Sequence, residues 1–217
     1  MELKGKKVNF LGDSITIGGG VSCSEDCYVS IFERISGTTA RNYGRGGTRI
    51  AKQKKPSKEI RFDMDFIGRV DEMDEDADVI VVFGGTNDFG SGDAEMGDIT
   101  SMDGYTFYGA LNILCNELIE RYPEATIVFM TPLHRTSEKN ELNSLGVPHK
   151  APLSAYVDAI KEVAAYYAFP VLDLYRVSGL QPCVETIREK YMPDGLHPNK
   201  YGTQRIAERL YGFLSAL

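Results

Sequence analysis

A three-layer, doubly wound α/β domain is the fold this sequence predicts, and three observations carry it. Strand and helix patterns alternate along the whole chain, the strands are continuous apolar runs, and the runs stop at glycine or small polar residues. Continuous apolar strands need burial on both faces, the condition of a parallel sheet with helices on each side.

The elements follow in order. Val8 to Leu11 reads as the first strand, ending in Gly12-Asp13-Ser14. Tyr28, Ile31, Phe32 and Ile35 then recur at helical spacing, with Gly37 as a stop. A short second strand ends at Asn42-Tyr43, and residues 57–75 predict a helix with Ile60, Met64, Ile67 and Val70 facing in. Asp78 to Phe83 is the strongest strand, β-branched and closed by Gly84-Gly85. Tyr105 to Tyr122 reads as a helix with Leu111, Leu114, Leu118 and Ile119 on one side, and Pro123 marks its end. Thr126 to Met130 is the fourth strand. Pro152 opens a helix running to about Tyr167, since proline suits a first turn. Val171 to Leu174 makes the fifth strand, and Asn199 reads as the N-cap of a last helix packed through Tyr201, Ile206, Leu210 and Phe213.

Bulk properties narrow the function. A chain of 217 residues, without repeats or linkers, fits one domain over 1–217 and can bury a core without disulfides. A net charge of -7 argues against a nucleic-acid surface, which needs clustered Lys and Arg. The basic run Lys52 to Lys58 lacks interleaved aromatics and reads as a solvated loop. No apolar signal core precedes the first strand, and no stretch approaches the roughly 20 residues that span a bilayer. A cytoplasmic location without membrane insertion is expected, and with it four reduced cysteines. Three dispersed histidines and no cysteine pair give no expectation of a metal.

The chemistry sits where the strands stop. In this architecture the carboxyl ends of the strands share one rim. There the chain places Gly12-Asp13-Ser14, then Asn42 to Thr48, Gly84 to Asp88, Thr131 to His134 and, by a longer route, Asp194-Gly195-Leu196-His197. A hydroxyl is a weak nucleophile until a base takes its proton. His197 is suited to that duty and Asp194 to orienting the imidazole. An oxyanion needs donors, and the Ser14 N–H, the Gly47 N–H and the Asn87 amide are available. Glycine at 47 is expected to let the backbone approach the substrate.

These blocks resemble those of the SGNH (GDSL-type) hydrolases. Gly12-Asp13-Ser14-Ile15-Thr16 is similar to the first block, Asn42-x-Gly-x-x-Gly47 to the second, Gly84-Gly85-Thr86-Asn87-Asp88 to the third and Asp194-x-x-His197-Pro198 to the last. Gly44, Gly46 and Gly47 leave the register of the second block open. The resemblance implies a flavodoxin-like five-stranded sheet of order 2-1-3-4-5. It also implies Ser14 as nucleophile, His197 and Asp194 as base and acid, and Ser14, Gly47 and Asn87 as oxyanion hole.

Other residues read more plainly. Asp13 and Asp88 are expected to tie down loops. His134 and Arg135 are candidate substrate-binding residues after the fourth strand, whereas His149 is expected in solvent. Gly18 to Gly20 reads as flexible cover beside the site, because no P-loop Lys-Ser/Thr follows. The expected function is a metal- and cofactor-independent serine esterase acting on a small-molecule ester. The polar insertions at 89–104 and 133–151 favour a short acyl group, such as acetyl on a sugar. A lysophospholipase or acyl thioesterase is the alternative within the family, and a non-catalytic carbohydrate-binding protein the alternative outside it. Apolar residues in the insertions could serve a homo-oligomer.

Overall fold

Five parallel strands form one sheet in the order β2-β1-β3-β4-β5, in a computed structural model that describes residues 1–57 and 59–217. The strands are β1 (Lys7–Gly12), β2 (Thr39–Gly44), β3 (Val79–Phe83), β4 (Thr126–Met130) and β5 (Val171–Leu172). In register, Gly12 stands beside Gly44 on one side and Phe83 on the other. Three strands therefore stop at one level, and the segments that follow them emerge on one rim. The class and strand order are those expected.

Period-two alternation explains the unbroken apolar strands. Val79, Val81 and Phe83 join one core layer with Phe10, Tyr28, Phe32 and Ile206, while Ile80 and Val82 join the other with Leu11, Phe107, Leu111 and Ile160. A one-turn helix α1 (Ser14–Ile17) follows β1, and α2 (Tyr28–Ser36) covers the first layer with the C-terminal helix Lys200–Ala216. A short α3 (Thr86–Ser91) follows β3, and α4 (Phe107–Arg121) and α5 (Leu153–Tyr166) cover the second layer. Phe10 meets Tyr28 and Phe32 edge-on at 5.8 and 5.6 Å. Burying such a ring contributes about 1.5–3 kcal/mol. Two short helices, α6 (Leu174–Val177) and α7 (Glu185–Tyr191), precede α8 (Lys200–Ala216), whose first N–H groups are capped by Asn199 Oδ1.

The largest departure from the sequence reading lies at 57–75, where no α-helix forms among the described residues. Lys58 lies outside them. Two short 3-10 segments, Ile60–Asp63 and Ile67–Glu72, replace the helix, and Ile60 is 85% exposed while Phe66 and Arg69 are buried. Tertiary contacts override helical spacing here. Asp63 turns back to accept the Ser57 N–H and hydroxyl, Phe66 packs against Gly84, and the Arg69 side chain is drawn inward. Smaller departures share one cause, an apolar side chain at the edge of a helical stripe: Ile35, Ile119 and Tyr201 are exposed. The fifth strand is shorter than expected because Asp173 caps α6 by accepting the Arg176 N–H.

Candidate active site

Gly12 ends β1, and Asp13 turns the chain into α1 by accepting the Ile15 N–H on Oδ1 at 2.9 Å. Asp13 is 2% exposed, and burial pushes its pKa up to about 7 in spite of that bond. Ser14 takes the first helical position, where an N–H has no intrahelical acceptor. Among the described residues that N–H makes no hydrogen bond.

From Ser14 a relay runs outward. Ser14 Oγ lies 2.9 Å from His197 Nε2, and His197 Nδ1 lies 2.7 Å from Asp194 Oδ2. A carboxylate only accepts, so Nδ1 carries the proton and Nε2 presents its lone pair to the Ser14 hydroxyl. Asp194 Oδ1 accepts the N–H groups of Leu196 at 2.9 Å and His197 at 2.7 Å. One tight turn thus holds acid and base together. Burial opposes charge on Asp194, but these hydrogen bonds outweigh it and hold its pKa below the usual carboxylate value. Gly19 packs against the pair: a Cβ there would meet Ser14 O at 3.0 Å and His197 Cδ2 at 3.2 Å. The triple glycine is close packing beside the site.

Across from the relay stands the loop after β2. Asn87, in the first turn of α3, donates through Nδ2 to Thr48 O at 2.9 Å, which leaves its second amide proton unspent. The neighbouring Asp88 accepts the N–H groups of Ile50 at 3.0 Å and Ala51 at 2.9 Å. Burial raises its pKa to about 6 against those bonds. Gly47 has φ +79°, and its N–H makes no hydrogen bond among the described residues. Packing supplies a further reason for glycine: a Cβ at 47 would fall 2.3 Å from Phe62 Cδ1. Of the three glycines in this block, Gly46 lies against Ser14, with its Cβ position 3.9 Å from Ser14 Cβ.

Sequence reasoning missed Arg69. Its buried guanidinium donates to the carbonyls of Gly12 (3.1 Å) and Tyr43, and to Thr48 Oγ1 at 2.9 Å. It joins the ends of β1 and β2 to the Gly47 loop, and burial lowers its pKa to about 10. Nothing in the local spacing marks it, because its partners are oxygens from three other segments.

The residues after β4 do not join the relay. His134 Nδ1 meets Glu138 Oε2 at 2.9 Å and its ring lies 3.7 Å from that of Tyr175. Arg135 is 9% exposed and donates through Nη1 to Thr86 O at 2.9 Å, directly before Asn87. His149 is not in solvent as expected. It stacks on Phe89 at 4.0 Å and meets Phe89 O through Nδ1 at 2.9 Å.

Fold and site define a class: a doubly wound α/β protein with a Ser–His–Asp hydrogen-bond chain at the carboxyl rim of its sheet. Residues 10–205 match the model of the GDSL-like lipase/acylhydrolase family, and the chain belongs to that family. It is similar to a protein of known crystal structure at 35% identity, over 100% of this chain and 99% of the other, with a TM-score of 0.86. A Lactobacillus plantarum protein is 32% identical over 98% of both chains, with a TM-score of 0.81. A carbohydrate acetylesterase family member from Sinorhizobium meliloti shares the fold at 18% identity, over 97% of this chain and 98% of its own, with a TM-score of 0.66. No curated protein matches the chain. Among the described residues, no helix is long and apolar enough to cross a membrane.

Proposed function

We propose that the protein is a serine esterase that cleaves a carboxylic ester through an acyl-enzyme on Ser14. The observation that carries this reading is the relay from Ser14 Oγ through His197 to Asp194, at 2.9 and 2.7 Å. His197 Nε2 takes the Ser14 proton as Oγ bonds to the ester carbonyl carbon, then returns it to the leaving alkoxide as the C–O bond breaks. Water, giving a proton to the same nitrogen, then bonds to the acyl carbon. As the bond from that carbon to Ser14 Oγ breaks, His197 returns the proton to Oγ and the acid is released. Negative charge on the carbonyl oxygen is met by the Ser14 and Gly47 N–H groups and the unspent Asn87 amide proton. No cofactor enters this sequence.

A short acyl group, acetyl on a small or carbohydrate substrate, fits best. Phe62 narrows the space beside Gly47, and the likeness to a carbohydrate acetylesterase family member points the same way. One observation favours a longer chain, as in a lysophospholipase or thioesterase: Ile17, one turn after Ser14, is 53% exposed. Hydrolysis of p-nitrophenyl esters from acetyl to decanoyl, by wild type and Ser14→Ala, tests both levels. Wild type is expected to prefer acetyl and Ser14→Ala to be inactive. Equal rates for the two proteins would overturn the triad, and a preference for decanoyl would overturn the short acyl group.

A further inference from the structure

Outside the relay, a cavity of about 130 Å³ lies between α3 and the insertion after β4, lined in part by Arg135, Asn140, Asn143 and His149. Water occupies about 30 Å³ per molecule, so the space suits about four waters or one carboxylate or phosphate group.

Two nitrogen donors of the lining residues lack hydrogen-bond partners among the described residues. Arg135 spends Nη1 on Thr86 and Nε on Ser137 Oγ, which leaves Nη2 unpaired. The carboxylates around its guanidinium are engaged elsewhere: Asp13 with the Ile15 N–H, Asp194 with His197 and Glu138 with His134. The guanidinium lies over the Phe89 ring, 5.6 Å from its centroid, but makes no ion pair among the described residues, and a buried cation with no counter-charge is unfavourable. Asn143, 8% exposed, accepts the Leu145 and Val147 N–H groups on Oδ1 at 2.9 and 3.3 Å. Those bonds fix the orientation of the amide and leave the Nδ2 donors unspent. His149 closes one side of the cavity, held by its Nδ1 donation to Phe89 O and its stacking on the Phe89 ring. One positive charge and one amide nitrogen with both donors unspent describe a receptor for an oxyanion.

We propose that this cavity binds an anionic group, with Arg135 Nη2 as its charge partner and Asn143 Nδ2 as a donor. Phosphate and a carboxylate both offer oxygens to these two donors, phosphate with the greater charge. The cavity adjoins the proposed catalytic loops, since Arg135 holds Thr86 beside Asn87 and the Thr136 N–H donates to Gly195 O beside Asp194. Its occupant is the free anion or the anionic end of an ester substrate.

Calorimetric titration of the intact protein with sodium phosphate, against sodium chloride at equal ionic strength, tests the site. Saturable binding at one phosphate per chain is expected, with acetate weaker. Asn140→Asp places a carboxylate on an exposed part of the lining and is expected to weaken phosphate at least tenfold. Arg135→Gln is expected to abolish binding, and if the loss of its bonds to Thr86 unfolds the chain, Asn140→Asp still decides. Absence of phosphate binding above the chloride control, or equal binding by Asn140→Asp, would overturn the proposal. Given binding, phosphate inhibition confined to anionic esters assigns the site to the substrate, and inhibition of no ester assigns it to the free anion. Both outcomes support the site, and neither depends on which acyl group is cleaved.

Discussion

The Asn87 side chain donates to the Thr48 carbonyl at 2.9 Å, which binds the end of β3 to the glycine-rich loop after β2. An amide held this way keeps one N–H in a fixed direction before any substrate arrives, the preorganisation that oxyanion stabilisation needs. Asn87→Ala is therefore expected to lower kcat for p-nitrophenyl acetate by about 10²–10³, about 2.7–4 kcal/mol in the barrier, with KM little changed. An unchanged kcat would remove Asn87 from the oxyanion hole.

Gly47 faces two constraints that can be measured apart. Its φ of +79° disfavours any side chain, and a Cβ would strike the Phe62 ring. Gly47→Ala is expected to destabilise the fold by about 1–2 kcal/mol from the backbone term alone and to lose at least tenfold in activity. Adding Phe62→Ala should return the part due to the ring and leave the backbone part. Chemical denaturation of the single and double variants gives the coupling directly. Additive effects would mean that Phe62 does not constrain the loop.

Why so much was legible in the sequence follows from where the information is local. β3 is read easily because Val79 to Phe83 is buried on both faces, so no polar residue interrupts it. Asp194 and His197 lie three residues apart in one turn, and their pairing is a property of that turn. Arg69 is the contrary case, since its partners on Gly12, Tyr43 and Thr48 are distant in sequence. The same inward pull on Phe66 and Arg69 dissolves the expected helix at 57–75. The position of Phe62 beside Gly47 depends on that irregular segment, so the packing around the glycine loop was illegible while the residues at the strand ends were not.

Arg69→Met tests whether the site is held together from behind. Methionine fills much of the volume but leaves the Tyr43 carbonyl without its side-chain donor, at about 1–3 kcal/mol for a buried group left unsatisfied. It also removes one bond each from the Gly12 carbonyl and the Thr48 hydroxyl, which keep partners on Arg45. A stability loss on the order of 3 kcal/mol is expected by urea unfolding, with Arg69→Lys intermediate because one ammonium cannot reach all three acceptors. At temperatures where the variant is still folded, kcat should fall more than KM rises, since the Gly47 loop and not a substrate contact has been loosened. A stability equal to wild type would contradict a role for Arg69 in joining the ends of β1 and β2 to the Gly47 loop.

Asp13 gives the fold a pH dependence of definite sign. Burial holds its carboxyl protonated up to about pH 7, whereas in the unfolded chain it ionises near 3.9. Between these values the folded state binds the extra proton. The contribution of Asp13 is therefore complete below about pH 4 and is lost as pH rises towards 7, at a limiting slope of about 1.4 kcal/mol per pH unit. An asparagine at this position would keep the Ile15 cap through its amide oxygen and has no proton to lose. Asp13→Asn is thus expected to gain on wild type steadily from about pH 4 to pH 7 and to be the more stable protein at about pH 8. Asp88→Asn should not show that gain cleanly, because both Asp88 oxygens accept backbone N–H groups and an amide nitrogen would face one of them. Urea denaturation of the three proteins at about pH 5 and pH 8 separates these outcomes. A constant gap between wild type and Asp13→Asn would show that the Asp13 carboxyl ionises as readily in the fold as outside it.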